Sequence, residues 1–514
     1  MLEAWLGSQA PPLTVCSMCS GSDMPIYCVQ ELLRSLGAPP MGHCFSCELS
    51  AQKRRALRVI WPSVGHLYRD VLQLSKPRVR NDITGTMEAT KSGRLPYARF
   101  PCTDASTLNP YAGTDKNKSC VEGASLHTCA VFQGILNFMA SPHGQELELI
   151  VLENVRNLDA VKVDPNSADG VTSNLRACIR KLHEHDAFVM VFELDPRLFG
   201  TPQMRARLWM LAIPRRVLLR LQVTEQVARR FLLETMQCLV GSQLTPVDGF
   251  LLPETDQLVQ DSYHQLRATY ESHERQGQES AALCLCPEAV AMAASAAAAT
   301  VKPGKSNVKK RPSAKSAKWA QQHMEAAARQ GRPWWQSSRL SREECASRAP
   351  GLLLFSKREN DILDMHGITQ FPEPTTRTLE VSQGYVRTQI VDNCFACITP
   401  HGRPYITSRC RAALGSEKLR VQGLWLEDET AIRRISDNLL SDLAGNAFEA
   451  CCCMTATFCG MLLLATFQHS QTPQPPPTLP TPMPMLMTTP KRRPTVGMSR
   501  TPRAPRSRSR ASSP

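Results

Sequence analysis

The chain has 514 residues, of which 42% are hydrophobic, enough for a sizeable core and roughly two to four domains. Its 60 Lys and Arg outnumber its 46 Asp and Glu, and the net charge of +14 argues against an acidic self-solvating chain and for a polyanionic partner, nucleic acid first. The N-terminus has no basic n-region, so a secretory leader is not expected, and the 20 cysteines at irregular spacings read as reduced thiols rather than a disulfide scaffold.

In chain order, Leu13 to Met18 predicts a short buried strand, followed by the tight turn Cys19-Ser20-Gly21-Ser22-Asp23. Pro25 opens a helix that carries Ile26, Val29, Leu32 and Leu33 on one face, and Gly37 to Pro40 stops it. His43 to Cys47 predicts a second strand ending on Glu48, and His66 to Val71 a third with Asp70 at its end. In nucleotide-type sites such a turn lets backbone N–H groups approach the ligand while the acid holds ribose hydroxyls, although one glycine stands here where a dinucleotide fingerprint has three. Residues 76–94 are polar and read as a loop. A short run from Leu95 then breaks at Phe100-Pro101-Cys102, which leaves a thiol at the mouth of a sheet; by itself this cysteine reads first as a small buried hydrophobe.

Leu147 to Leu152 predicts a buried strand that ends on Glu153-Asn154-Val155. Thr172 to His185 reads as an amphipathic helix, and Ala187 to Glu193 and Arg207 to Ile213 as two more strands, separated by a segment containing Gln203, Arg205 and Arg207. Residues 1–214 therefore predict a parallel-type α/β domain with its polar residues at strand ends. Helical stretches follow to 290. Ala289 to Lys318 is an alanine run and a basic segment of linker-histone composition, expected to be disordered. Short strands and turns are expected over 350–425 and helix over Glu427 to Phe467, and the Pro-, Thr- and Arg-Ser-rich tail from 469 is not core material.

The ordered set Pro101-Cys102, Glu153-Asn154-Val155, Gln203-x-Arg205-x-Arg207, Glu417 with Gln422-Gly423, and Gly445-Asn446-Ala447 resembles the C5-cytosine-specific DNA methyltransferases. The likeness covers residues 13–214 and about 395–455, and the interval 215–394 falls where that family places its target-recognition region. It implies a doubly wound, Rossmann-like sheet binding S-adenosylmethionine, completed by a C-terminal return over 395–468. Carried onto this chain, Cys102 would attack C6 of a flipped-out cytosine and Glu153 would hold the N3/N4 edge. Arg207, with Arg205 beside it, would grip the base carbonyl. Cys19, Ser20, Gly21, Ser22, Glu48, Asp70 and Asn446 would surround the cofactor. Cytosine C5 is a poor nucleophile until a group adds at C6, so the reaction needs a thiolate, a positive surrounding to ionise it and a carboxyl at N3. The base must also leave its duplex.

The sequence departs from the family in its first turn, with Cys19 for an aromatic residue and Asp23 for a second glycine, and Leu49 follows Glu48. Cys16 with Cys19 and Cys44 with Cys47 mimic a zinc ribbon, but their place in apolar strands favours buried thiols, and no metal is expected. Phe448 to Phe467 is nearly long enough to span a bilayer, yet it follows Gly445-Asn446-Ala447 and contains Glu449, which favours a packed helix and no membrane. Glu153 with Arg205 and Arg207 also fits a structural ion pair. The basic segments suit phosphate contact, nuclear import or a solvated spacer. A nuclear DNA methyltransferase is the first expectation; an RNA enzyme with the same site, and a DNA-binding scaffold without turnover, are the alternatives.

Overall fold

The computed structural model describes Leu2, Leu6 and residues 12–106, 120–122, 127–160, 162–163, 171–265, 314–329, 331, 351, 355–368, 372–426 and 428–469. The basic segment as far as 313 and the tail from 470 lie outside the described residues. Residues 1–471 form one compact unit.

The expected alternation of strand and helix is present. Strand β1 (Thr14–Met18) leads through the turn to α1 (Met24–Ser35) and β2 (Gly42–Cys47). Helix α2 (Ala51–Ile60) starts where the Ser50 hydroxyl accepts the Lys53 N–H, and a two-residue β3 (Leu67–Tyr68) follows. Then come β4 (Leu95–Ala98), α3 (Thr128–Ala140), β5 (Ile150–Val155), α4 (Asn174–Glu184), β6 (Ala187–Leu194) and β7 (Arg207–Pro214). They form one seven-stranded sheet in the order β6-β7-β5-β4-β1-β2-β3. The strands from β3 to β5 pair in parallel, whereas β7 runs antiparallel to both β5 and β6. A parallel β6–β7 connection requires a crossover of a dozen or more residues, usually a helix. The segment between these strands instead makes a 3₁₀ turn and the Gln203–Arg207 approach to the site, so the purely parallel reading gives way to one reversed strand.

Alternation along β1 divides the core: Val15 joins the cluster on one face of the sheet, Cys16 and Met18 the other. Helices α3 and α4 cover the second face. The first is covered by α1, by α5 (Glu225–Leu239) and by the long apolar helix that follows Gly445-Asn446-Ala447. Residues 76–94, expected as loop, contain a small antiparallel ribbon in which Arg78–Arg80 pairs with Met87–Ala89.

The interval 314–412 has its own small core. Helices α6 (Ala314–Arg329) and α7 (Lys357–Met365) pack on a four-stranded antiparallel sheet of β8 (Arg377–Glu380), β9 (Ile390–Asp392), β10 (Pro404–Ile406) and β11 (Arg411–Ala412), in the order β9-β8-β10-β11. This sheet straddles the boundary expected at 394/395. Helix α6 also begins inside the segment expected to be disordered: 314–318 are helical, in an Ala-rich stretch of high helix propensity.

The chain returns through α8 (Gly415–Val421) and α9 (Asp437–Asn446) to α10 (Ala450–His469). Helix α10 is long and apolar enough to cross a membrane by composition alone. Here it packs against α1 and α5, with Cys452, Cys453, Ala456, Cys459, Leu463 and Leu464 buried. The Tyr97 hydroxyl and Thr457 Oγ1 are 2.7 Å apart, and a Cβ at Gly460 would sit 2.3 Å from the Leu149 side chain. The sheet and the helix are thus in direct contact.

Candidate active site

The carboxyl ends of β1, β2, β4, β5 and the reversed start of β7 converge on one edge of the sheet, the usual place for a ligand in an open α/β fold. The turn after β1 is held from β2: Ser20 N donates to the Cys47 carbonyl, Cys47 N donates back to Ser20 Oγ, both at 3.0 Å, and Gly21 N donates to Glu48 Oε2 at 3.0 Å. Gly21 has φ 58°, and a Cβ there would lie 3.4 Å from the Asn446 carbonyl oxygen. The first turn and the C-terminal return therefore meet, as the sequence order requires. Ser22 Oγ is buried without a hydrogen-bond partner. Cys19 is pushed up to about 12 by burial and then by Glu48 and Asp70, against the pull of Arg99, which places these groups around one spot. The carboxylates of Glu48 and Asp70 and the unpartnered Ser22 hydroxyl fit the hydroxyl and amino groups of an aminoacyl nucleoside. Asp70 also caps the 3₁₀ turn that follows it, accepting from Leu72 N at 3.0 Å.

Beside this cradle lies a cavity of about 1160 Å³. Cys102, Arg99, Arg207, Cys397 and Asn446 line it, and from the recognition side so do Glu380, Gln383, Arg387 and Gln389. Cys102 is half-buried in a turn whose N–H groups at Ala105 and Ser106 donate to its carbonyl. That turn is fixed from both sides. Asn154 Nδ2 donates to the Phe100 carbonyl at 3.1 Å, and Thr128 Oγ1, at the start of α3, donates to the Pro101 carbonyl at 2.9 Å. Glu153 is 1% exposed and sits between two guanidinium groups: Arg99 Nε is 2.8 Å from Oε2 and Arg207 Nε 3.2 Å from Oε1. The Glu-Asn-Val triplet thus divides its work, the acid at the site, the amide on the cysteine turn and Val155 in the cavity wall.

The sequence reading placed Arg205 beside Arg207 on the substrate; the structure places it elsewhere. Its guanidinium is fully buried and donates to the carbonyls of Ile398 (2.8 Å), Ala447 (3.0 Å) and Gly445 (3.2 Å). Burial, then the Arg207 charge, lowers it to about 10. It ties the C-terminal return to the catalytic strands and is not in the cavity wall. Glu417 is likewise structural: its carboxylate accepts from Arg411 Nη1 at 2.7 Å, Arg411 Nη2 at 2.8 Å and Leu252 N at 2.8 Å, linking the return to the recognition interval. Gln422 Nε2 donates to the Ala444 carbonyl at 2.9 Å, and a Cβ on Gly445 would lie 2.1 Å from Pro400 N.

Sequence reasoning missed Arg99 and Cys397. Arg99 is the one charge between the apolar strand Leu95–Ala98 and Phe100-Pro101-Cys102, a signal visible in principle. Cys397 belongs to a Cys-x2-Cys pair whose partner, Cys394, is buried, so the pair spacing was uninformative. Cys16 and Cys47 are also buried, each pushed up by desolvation first.

No family model matches the chain. Among curated proteins it is 22% identical over 466 residues to the DNA (cytosine-5-)-methyltransferase DMT5 of Cryptococcus neoformans var. grubii, covering 89% of this chain and 17% of that protein. It is 33% identical over 105 residues to the protein of the same name from Verticillium dahliae, covering 19% of this chain and 4% of that one. The chain spans less than a fifth of the length of either relative. Solved structures aligned with it include a Dnmt2 methyltransferase of S. pombe (12% identity, TM-score 0.41, 88% of this chain and 98% of that one). Another is a Spodoptera frugiperda DNMT2 variant (12% identity, TM-score 0.39, 88% and 99%). The chain is thus similar along 89% of its length to a named DNA (cytosine-5-)-methyltransferase, and the signatures that carry the resemblance stand in family order around one cavity.

Proposed function

We propose that the chain is a DNA cytosine-5 methyltransferase that acts through a covalent bond between Cys102 Sγ and C6 of a flipped-out cytosine. The observation that carries this reading is that Cys102, Arg99 and Arg207 line one cavity, with the buried Glu153 ion-paired to both arginines. The cradle of Cys19, Ser20, Gly21, Ser22, Glu48, Asp70 and Asn446 would hold S-adenosylmethionine, which supplies the methyl group when bound.

Cys102 adds to C6 as a thiolate, under the positive potential of Arg99 and Arg207. The Sγ–C6 bond moves electron density toward N3 and C5. Glu153 meets the N3/N4 edge, exchanging part of its contact with the arginines for the base, and Arg207 faces the base carbonyl. Once C5 carries the methyl group, its proton leaves to a base, the Sγ–C6 electron pair returns to the thiolate and the ring regains its double bond.

The net positive charge and the relatives' printed activity support a DNA substrate, and the basic segments support a nuclear setting. The test is covalent trapping with DNA carrying 5-fluorocytosine, whose fluorine prevents the loss at C5. In the presence of S-adenosylmethionine, the wild type forms an adduct stable to a denaturing gel and Cys102→Ala forms none. An adduct on tRNA but not on DNA selects the RNA reading. Retained DNA binding with no adduct on either polymer selects the scaffold and overturns the enzyme.

A further inference from the structure

We propose that Cys397 is the positioning residue for Arg207: its sulfur, delivered by the C-terminal return, fixes the guanidinium that faces the base. This rests on the proposed function for the role of Arg207 and on geometry for the contact.

Two guanidinium nitrogens of Arg207 donate hydrogen bonds and the third makes only an ion-pair contact. Nε meets Glu153 Oε1 at 3.2 Å, Nη1 donates to the Ala206 carbonyl at 2.8 Å, and Nη2 donates to Cys397 Sγ at 3.2 Å. Arg205 Nη1 approaches the same sulfur at 3.7 Å. The segment that leads to the sulfur is held by backbone: Phe395 N donates to the Pro202 carbonyl and Met204 N to the Phe395 carbonyl, each at 2.8 Å. The segment carrying Arg205 and Arg207 and the segment carrying Cys397 are thus docked side by side. The return sets the arginine of the catalytic strand through one side-chain contact.

Electrostatics favour negative charge on this sulfur. Arg99 and Arg207 pair with Glu153, and Arg205 approaches the sulfur from the start of β7. Arg207 and Cys102 line the same cavity, and the charges of the two groups interact. Burial pushes the Cys397 thiol up, but Arg207, then Arg205 and Arg99, outweigh it, and the net displacement is below the ordinary thiol value. Arg207 responds in the opposite direction: burial lowers it, while Cys397 and Glu153 raise it above its usual value. A thiolate acceptor makes this a charge-assisted contact, stronger than a neutral one.

The test has two readouts on the full chain. In the first, iodoacetamide labelling across pH is followed by peptide mass spectrometry, with the exposed Cys238 as internal reference. The alkylation midpoint of Cys397 is expected below that of Cys238; a midpoint at or above it overturns the proposal. In the second, adduct formation on 5-fluorocytosine DNA is timed for Cys397→Ala, Cys397→Ser and Cys397→Asp. Ala and Ser are expected to slow it about ten-fold with S-adenosylmethionine affinity nearly unchanged, as a displaced catalytic group does. Asp, an anion of similar volume, is expected to recover most of the rate. An Ala variant at the wild-type rate, or an Asp variant no faster than Ala, overturns the proposal. A wild type that forms no adduct removes the proposed function instead, and the labelling midpoint then decides the contact by itself.

Discussion

Asp23 occupies left-handed backbone at φ 56° in the cofactor turn, with Cys19 at 57° two positions before Gly21. Asp tolerates this region better than most residues, at a cost of about 1 kcal/mol. What fixes it is the carboxylate, fully buried, which accepts the hydroxyls of Ser17 from β1 and Ser46 from β2. Each hydrogen bond to a charged group is worth about 1.5–3 kcal/mol, so the side chain outweighs the backbone. Asp23→Gly, which removes the departure from the family pattern, is therefore expected to destabilise the fold by about 2–5 kcal/mol. A denaturant titration in which the Gly variant is more stable than wild type sinks this reading. Glu449 behaves differently. It is 2% exposed at the start of α10, its Oε2 accepts Cys452 N at 2.8 Å, and burial raises its carboxyl above the usual value. A raised folded value means its contribution is full below the unfolded value and is lost as pH rises through the folded one. Glu449→Gln keeps the acceptor without the charge, so it is expected to raise stability at neutral pH, with the gain vanishing on acidification. Thermal melts at two pH values decide it: a gain that grows toward acid is incompatible with this account.

At the scale of elements, the segment around Leu252 and Glu254 is tied to the C-terminal return through a buried ion pair. Arg411 is 2% exposed at its side chain and Glu417 is 0% exposed; Arg411 also holds Glu254 at 2.8 Å. Removing one partner strands a buried charge, so Glu417→Ala is expected to cost about 3–5 kcal/mol, read as a fall in the denaturant midpoint. A loss below about 1 kcal/mol would place the pair among surface-type bridges. This clamp explains what the sequence could and could not tell. The signatures Glu417, Gln422 and Gly445 were legible as a pattern, but their roles were not, because each acts on a segment far away in sequence: Leu252, Ala444 and Pro400. The alternating strands β1, β2, β5, β6 and β7 were legible because apolar runs bounded by turns leave few choices. Helix α2 was missed because only Arg54, Ala56 and Leu57 are buried along its length, too narrow a stripe to mark. Helix α3 was missed for the opposite reason: its sequence is apolar nearly all round. The reversal of β7 depends on connection length rather than on any residue in the strand. At the site, Cys102 and Glu153 were readable as motif residues, whereas the pairing of Glu153 with Arg99 needs β4 and β5 placed side by side.

For the whole molecule, charge is unevenly distributed along the chain. Residues 472–514 hold eight Lys and Arg and no Asp or Glu, so residues 1–471, which contain the entire site, carry only +6 of the +14. Attraction to a phosphate backbone scales with the cations that displace counterions, each contributing about 0.9 to the slope of log affinity against log salt. If the tail meets DNA as the proposed function requires of a basic segment, truncation after Gln471 lowers the magnitude of that slope by up to about 7. Chemistry at saturating DNA should be untouched, since Cys102, Glu153, Arg207 and the cofactor cradle all lie before the cut. The experiment is a salt series of DNA affinity for the full and truncated chains, with adduct formation measured alongside. An unchanged slope would assign nucleic-acid attraction to the folded unit, where the cavity rim offers Arg156 and Arg387. A changed slope with unchanged adduct formation separates capture of the polymer from chemistry on the base, one carried by the tail and the other by the sheet edge.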